Sequence, residues 1–264
     1  MTPENDIPGK NDIQDKEMSL LEHLAELRRR LLWSAAAFLI AFAICYHFAP
    51  RIYDFLAAPL AHALEARGQK PEMIYTALYE AFFTYIKVSV FAAAFLSFPV
   101  IATQLWLFIA PGLYKREKRA MLPFLMVTPI LFFAGGALAY YVIFPTAWRF
   151  FLSFQNMTPG SGVQIDLMAR VSDYLNLVMK LIFAFGLSFE LPVLLTLLGK
   201  VGIIGSAGLR KYRRYAYVGC FILAAVLTPP DILTQCGLAL PLILLYEISV
   251  ISVKMVEPKV DPET

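Results

Sequence analysis

The chain has 264 residues, of which 59% are hydrophobic and 16% charged, and its mean hydropathy is +0.62. That balance excludes a soluble globular domain and defines an integral membrane protein, whose apolar runs, taken in order below, read as helices and make its expected class all-α. A net charge of +3 calls for neither nucleic acid nor an acidic substrate, and Cys45, Cys220 and Cys236, with no C-x-x-C spacing, indicate neither a zinc site nor a disulfide framework.

Residues 1–17 form a polar tail without the apolar core of a cleavable signal peptide, so the first apolar run is expected to stay as an anchor. A single membrane domain is expected over 18–253, followed by a polar tail over 254–264. Leu20, Leu24, Leu27 and Leu31 recur at helical spacing, which predicts an amphipathic helix that lies on the membrane surface and then turns into the first span, 31–46. Residues 47–71, interrupted by Pro50, Pro59 and Pro71, read as a short interfacial helix. The second span is 82–101, with Lys87 near one end and Pro99 kinking its last turn. Pro111 and Gly112 break the following basic segment, 104–120. The third span, 121–144, carries Gly135 and Gly136 in its middle, suited to close helix packing.

A polar loop over 145–170 leads to the fourth span, 174–198, whose 25 residues make a helix of ~37 Å against ~30 Å of hydrocarbon. This span contains Glu190. An acid near mid-membrane costs on the order of 3 kcal/mol and by default faces protein or a wet cavity. The fifth apolar stretch, 215–227, is too short to cross a full bilayer, and a sixth, 232–253, contains Pro241 and Glu247. With six crossings, 16 of the 23 basic residues fall on one side and five on the other, with Lys87 and Lys180 in spans. This asymmetry places both termini in the cytoplasm. A five-span arrangement, with the tail outside, stays open on charge alone.

Enzymatic chemistry is excluded by elimination. His23, His47 and His62 fall at interfaces or loops, no two aspartates share the spans, and neither metal-ligand spacing nor a nucleotide fingerprint occurs. No catalytic residue, metal or cofactor is expected. What is left is a set of carboxylates in unusual places. Glu26 and Glu117 each lie beside basic residues next to an apolar run, where spacing alone favours surface ion pairs such as Glu26 with Arg29 or Arg30. A lone Glu190 alone would suit a proton-coupled small-solute transporter.

HLAELRRRL at 23–31, APL at 58–60, FIAPGLYKREKR at 108–119, FPTAWRF at 144–150, FGLSFELPV at 185–193 and TPPD at 228–231 occur in the order and spacing of the TatC family, the polytopic subunit of the twin-arginine protein translocase. The resemblance covers about residues 18–255. It implies six transmembrane helices, the last two short, in a cup-like wall with a concave face, both termini cytoplasmic, in the bacterial inner membrane. It further implies a receptor that binds twin-arginine signal peptides of folded cargo and recruits the single-span subunits TatA and TatB, with other copies of itself in the complex and the proton-motive force as energy source. By matching positions, Glu26 and Glu117 would bind the signal's arginines, and guanidinium–carboxylate pairing suits that role. Phe108 and Leu113 could contact its apolar part, with packing as their alternative. Arg28 would orient Glu26; Pro59 and Asp231 match family positions on the opposite side, with loop shaping as their alternative. Glu190 would contact a partner helix in the membrane, with a bond inside its own chain as the alternative.

Overall fold

In the computed structural model, which describes residues 20–109, 118–155, 167–228 and 231–257, the described residues are almost entirely helical, with one isolated bridge and no strand. The helices are α1 (Leu20–His47), α2 (Ala49–Glu65), α3 (Glu80–Ile109), α4 (Lys118–Leu138), α5 (Phe144–Ser153), α6 (Val171–Ser188), α7 (Leu191–Lys200), α8 (Ser206–Lys211), α9 (Arg213–Leu227) and α10 (Ile232–Val256). Five segments of 25–30 residues are long and apolar enough to cross a membrane: His23–His47, Glu80–Phe108, Phe124–Ser153, Val171–Lys200 and Ile232–Val256. The sixth apolar helix, α9, has 15 residues, ~22 Å of rise.

Several sequence expectations change in physically instructive ways. The amphipathic segment and the first span are one unbroken helix, α1, because nothing between Leu20 and His47 interrupts the hydrogen-bond ladder. The second span runs on through Pro99 to Ile109, and the Pro99 carbonyl accepts from the Thr103 hydroxyl at 2.7 Å. The loop expected after residue 144 begins with a further helix, α5. A five-residue π-helical turn, Ala139–Ile143, precedes it, closed by the Phe144 N–H on the Ala139 carbonyl. Pro145 then sits in the first turn of α5, directly after the π-helical turn, whose change of register accommodates its missing N–H. The last helix is not short: Pro241 is accommodated within 25 residues, and the helix continues to Val256, into the stretch expected to be tail.

Packing follows the glycines and aromatic rings. α1 lies along α3, α4 crosses α6, and α7 and α9 both pack on α10. At the α4–α6 crossing, a Cβ on Gly135 would stand 2.5 Å from the Phe185 carbonyl oxygen, so only glycine permits that approach. Gly199 does the same for α7 on α10, where a Cβ would meet Val253 at 2.6 Å. Phe98 stacks on the fully buried Phe132 at 3.6 Å between centroids, filling the space these close crossings create.

Pro59 shows how a helix breaker is absorbed. Inside α2 it removes the N–H that would bond the Phe55 carbonyl, and the Tyr140 hydroxyl donates to that oxygen at 2.7 Å instead. The neighbouring Leu56 carbonyl accepts from the Tyr174 hydroxyl at 2.9 Å. α2 is thereby fixed to the π-helical turn after α4 and to the start of α6, and Pro59 lies in a helix rather than a loop.

Candidate functional site

Two places gather the polar residues singled out above. The first is where α1 begins and α3 ends. Glu26 and Arg30 are four apart on α1, hence on one face, and Arg30 Nε donates to Glu26 Oε1 at 3.0 Å while Nη2 contacts the same oxygen. Arg30 also reaches Gln104 Oε1 on α3 at 3.5 Å. One turn earlier, the His23 ring stacks on Phe108 at 4.4 Å between centroids. Glu26, Arg30, Gln104, His23 and Phe108 therefore form one cluster across the α1–α3 seam. Glu26 Oε2 has no partner among the described residues. Arg28 is exposed and makes no polar contact among the described residues. Glu117 and Leu113 lie outside the described residues.

The second place is the fourth span. A continuous helix over 174–198 is not what forms. Pro192, lacking an N–H, interrupts the ladder, so α6 ends at Ser188 and α7 starts at Leu191, with Phe189 and Glu190 in the break. Glu190 thus occupies the residue before α7 rather than a helix face. Both its carboxyl oxygens are buried without a hydrogen-bond partner among the described residues. Thr128 on α4 is the hydroxyl facing it; its oxygen accepts from Trp106 Nε1 at 3.2 Å, and its own hydrogen is the nearest donor to the Glu190 carboxyl, although no bond of good geometry forms. An orphaned buried polar group costs roughly 1–3 kcal/mol.

Asp231 has a local task. It caps α10: Oδ1 accepts from the Thr234 N–H at 2.7 Å, and the Thr234 hydroxyl donates to Oδ2.

Three polar ties escaped sequence reasoning. Glu80 is buried and accepts from Arg170 Nε at 3.1 Å, the Thr76 N–H at 2.9 Å and the Ser172 N–H at 3.2 Å, while Ile74 and Arg170 form the isolated bridge. Opposite charges at the starts of two spans on the same side were the available signal. Glu247 accepts from Arg213 Nη2 and from the Tyr217 hydroxyl, each at 2.6 Å, joining α10 to α9. Its presence inside an apolar run was a sign of a charged partner. Glu257, just past α10, accepts from the Ser206 N–H at 2.7 Å and hydroxyl at 2.8 Å. These two bonds hold its carboxyl below the usual carboxylate range. Neither sequence distance, 51 residues, nor composition announced that contact.

The fold and these sites define a class: a polytopic helical membrane protein whose acids sit at helix ends and in a helix break, with no cluster of three potential metal ligands among the described residues. A family model described as Sec-independent protein translocase protein (TatC) matches residues 22–241. The TatC protein of Magnetococcus marinus is 53% identical over 248 residues, 94% of this chain and 88% of the relative. That of Escherichia coli K12 is 43% identical over 231 residues, 88% and 86% of the two chains. A crystal structure of the twin-arginine translocase receptor TatC superimposes with a TM-score of 0.74 at 38% identity, covering 89% of this chain and 99% of that one. The chain belongs to the TatC family. It is a multi-pass membrane component of a protein translocase, a transport protein and not an enzyme.

Proposed function

We propose that this chain is the receptor subunit of a twin-arginine translocase, binding signal peptides through Glu26 and Glu117 and recruiting TatA and TatB through the region of Glu190. The observation that carries this reading is the arrangement at Glu26. A guanidinium already sits on one carboxylate oxygen while the other oxygen has no partner among the described residues. Such a carboxylate is chemically matched to an incoming arginine, which can take the open oxygen or displace Arg30. Two arginines need a second acceptor, and Glu117 is the residue assigned to it. Phe108, packed on His23 at the same seam, gives an apolar surface for the signal's hydrophobic part, with Leu113 beside it in sequence. Arg28 acts on the position of Glu26 rather than on the cation. Pro59 and Asp231 support the opposite end of the bundle through α2 and α10.

In this reading the protein lies in the bacterial cytoplasmic membrane with both termini cytoplasmic, assembles with further copies of itself, and uses the proton-motive force. Glu190 meets a polar residue of a single-span partner helix, a bond that would satisfy its orphaned oxygens.

The test is crosslinking of a twin-arginine peptide and its twin-lysine counterpart to the purified protein. Strong labelling by the first, weak labelling by the second, and loss of labelling in Glu26→Ala with Glu117→Ala are expected. Equal labelling by both peptides, or labelling indifferent to the two substitutions, overturns the receptor reading.

A further inference from the structure

Two intramembrane cations take no part in the function proposed above. Lys87 on α3 and Lys180 on α6 line one open pocket of about 410 Å³, with Asn176, Phe91, Met179 and Phe183. Both lysines are exposed on the bundle surface. Among the described residues Lys87 has no hydrogen-bond or ion-pair partner, and Lys180 Nζ donates only to the Val226 carbonyl oxygen, at 3.3 Å. The helices that carry them belong to segments long and apolar enough to cross a membrane. Two ammonium groups on one pocket in so apolar a setting, neither with a carboxylate, call for an anion from outside the chain.

Depth identifies the source. From Glu80 to Lys87 is ~10 Å and from Val171 to Lys180 is ~14 Å along the helices at ~1.5 Å per residue, measured from the end of the bundle where α3 and α6 both begin. Val226 lies in the last turn of α9, the helix of 15 residues, so Lys180 reaches the end of the shortest apolar wall of the protein. A wall of ~22 Å beside hydrocarbon of ~30 Å thins the bilayer locally and lowers headgroups towards the lysines. Below the lysines, Phe91 and Phe183 continue the pocket towards the bilayer centre. With headgroups lowered in this way, the pocket presents its two cations where they would reach and apolar rings beneath, the profile of a phosphodiester with its acyl chain.

We propose that Lys87 and Lys180, aided by the Asn176 amide, bind the phosphate of an anionic phospholipid from the leaflet opposite the chain termini, its acyl chain lying along Phe91 and Phe183. The lipid fills the space between α3 and α6 and neutralises a site the chain itself leaves positive.

Native mass spectrometry of the full-length protein, titrated with phosphatidylglycerol, tests this. Binding should weaken by about tenfold or more in K87Q/K180Q and stay within about threefold of wild type in K87R/K180R, which keeps both charges. The arginine variant also guards against a folding defect in the glutamine variant. Diacylglycerol with the same chains should not bind the site, and millimolar inorganic phosphate should not compete. Unchanged phosphatidylglycerol binding in K87Q/K180Q, or equal binding of diacylglycerol, overturns the proposal. Competition by inorganic phosphate reassigns the site to a free anion. A partner helix crosslinked at Lys180 that phosphatidylglycerol cannot displace reassigns it to a protein carboxylate.

Discussion

Glu26 and Glu190 are both carboxylates beside membrane spans, and they are held in opposite ways. Glu26 shares an i,i+4 ion pair with Arg30 at the end of a helix pair, one oxygen engaged and the other open. Glu190 sits in a helix break with both oxygens buried and, among the described residues, unpartnered. The first arrangement is a contact that can be exchanged, since an incoming guanidinium offers the carboxylate the same charge-assisted bonds that Arg30 makes. The second leaves a deficit in the isolated chain that another molecule can remove. Exchange suits a cargo that must come and go, whereas a standing deficit suits a subunit that stays.

The largest effect that would break this contrast is expected from Glu26→Ala with Glu117→Ala. Charge-assisted bonds of about 1.5–3 kcal/mol each predict a loss of signal-peptide affinity of roughly a hundredfold or more, read by peptide titration. An affinity within threefold of wild type would remove Glu26 from the exchangeable class.

At Glu190 stability and function should move in opposite directions. Glu190→Leu removes a buried polar group without partners and is expected to raise stability in detergent by about 1–3 kcal/mol, while lowering export by roughly tenfold through the lost helix contact. A destabilised variant would mean that a partner inside the chain satisfies Glu190. Glu190→Gln keeps hydrogen bonding and should export near-normally. Its complete loss of export would instead favour a proton carrier.

A smaller effect is expected at Arg30. Arg30→Gln removes the guanidinium that competes for Glu26, so signal-peptide affinity should rise by about threefold, an ion-pair-sized change. Weaker binding would show that Arg30 helps to build the site rather than to fill it.

The mildest prediction concerns pH. Glu257 has its carboxyl pKa lowered by the Ser206 N–H and hydroxyl. A lowered folded-state pKa means that its stabilisation is present above the unfolded value of about 4.3 and is lost as pH falls through the lower folded value. Hydrogen exchange in α8 should stay slow to below pH ~4 in the wild type. In Ser206→Ala, protection should already be weaker at neutral pH and its acid-induced loss should begin at higher pH. Identical profiles would remove this tie from the account.

Fold class was legible because a membrane imposes a simple reading: long apolar runs are spans, and Gly135 marked a close crossing before any coordinate did. Helix interruptions were legible only in part. Pro111 and Gly112, expected to break a helix, lie outside the described residues, and Pro99 and Pro241 did not produce a break, because a wall of neighbouring helices holds an α-helix together across a missing N–H. Pro192, which does produce one, read as an ordinary residue of a long span. The break mattered most, since it moved Glu190 from a helix face to a gap. The candidate site residues were named from the family motifs, and the geometry around those described left no mark in the sequence. Gln104 and His23 join the Glu26 seam through contacts over 70 residues apart, and Glu80 with Arg170 is 90 apart. Long-range pairs of this kind leave no periodic trace.

The fixing of α2 bears on how the bundle responds to load. Two tyrosine hydroxyls from different helices bond adjacent carbonyls of one proline-weakened helix. Mechanically, α2 is a crossbeam: a sideways push on the π-helical turn at Tyr140 reaches α6 at Tyr174 through two hydrogen bonds and barely two residues of backbone. Strain applied by a passing cargo at this end of the molecule would be shared between those helices before it could open the seam between them.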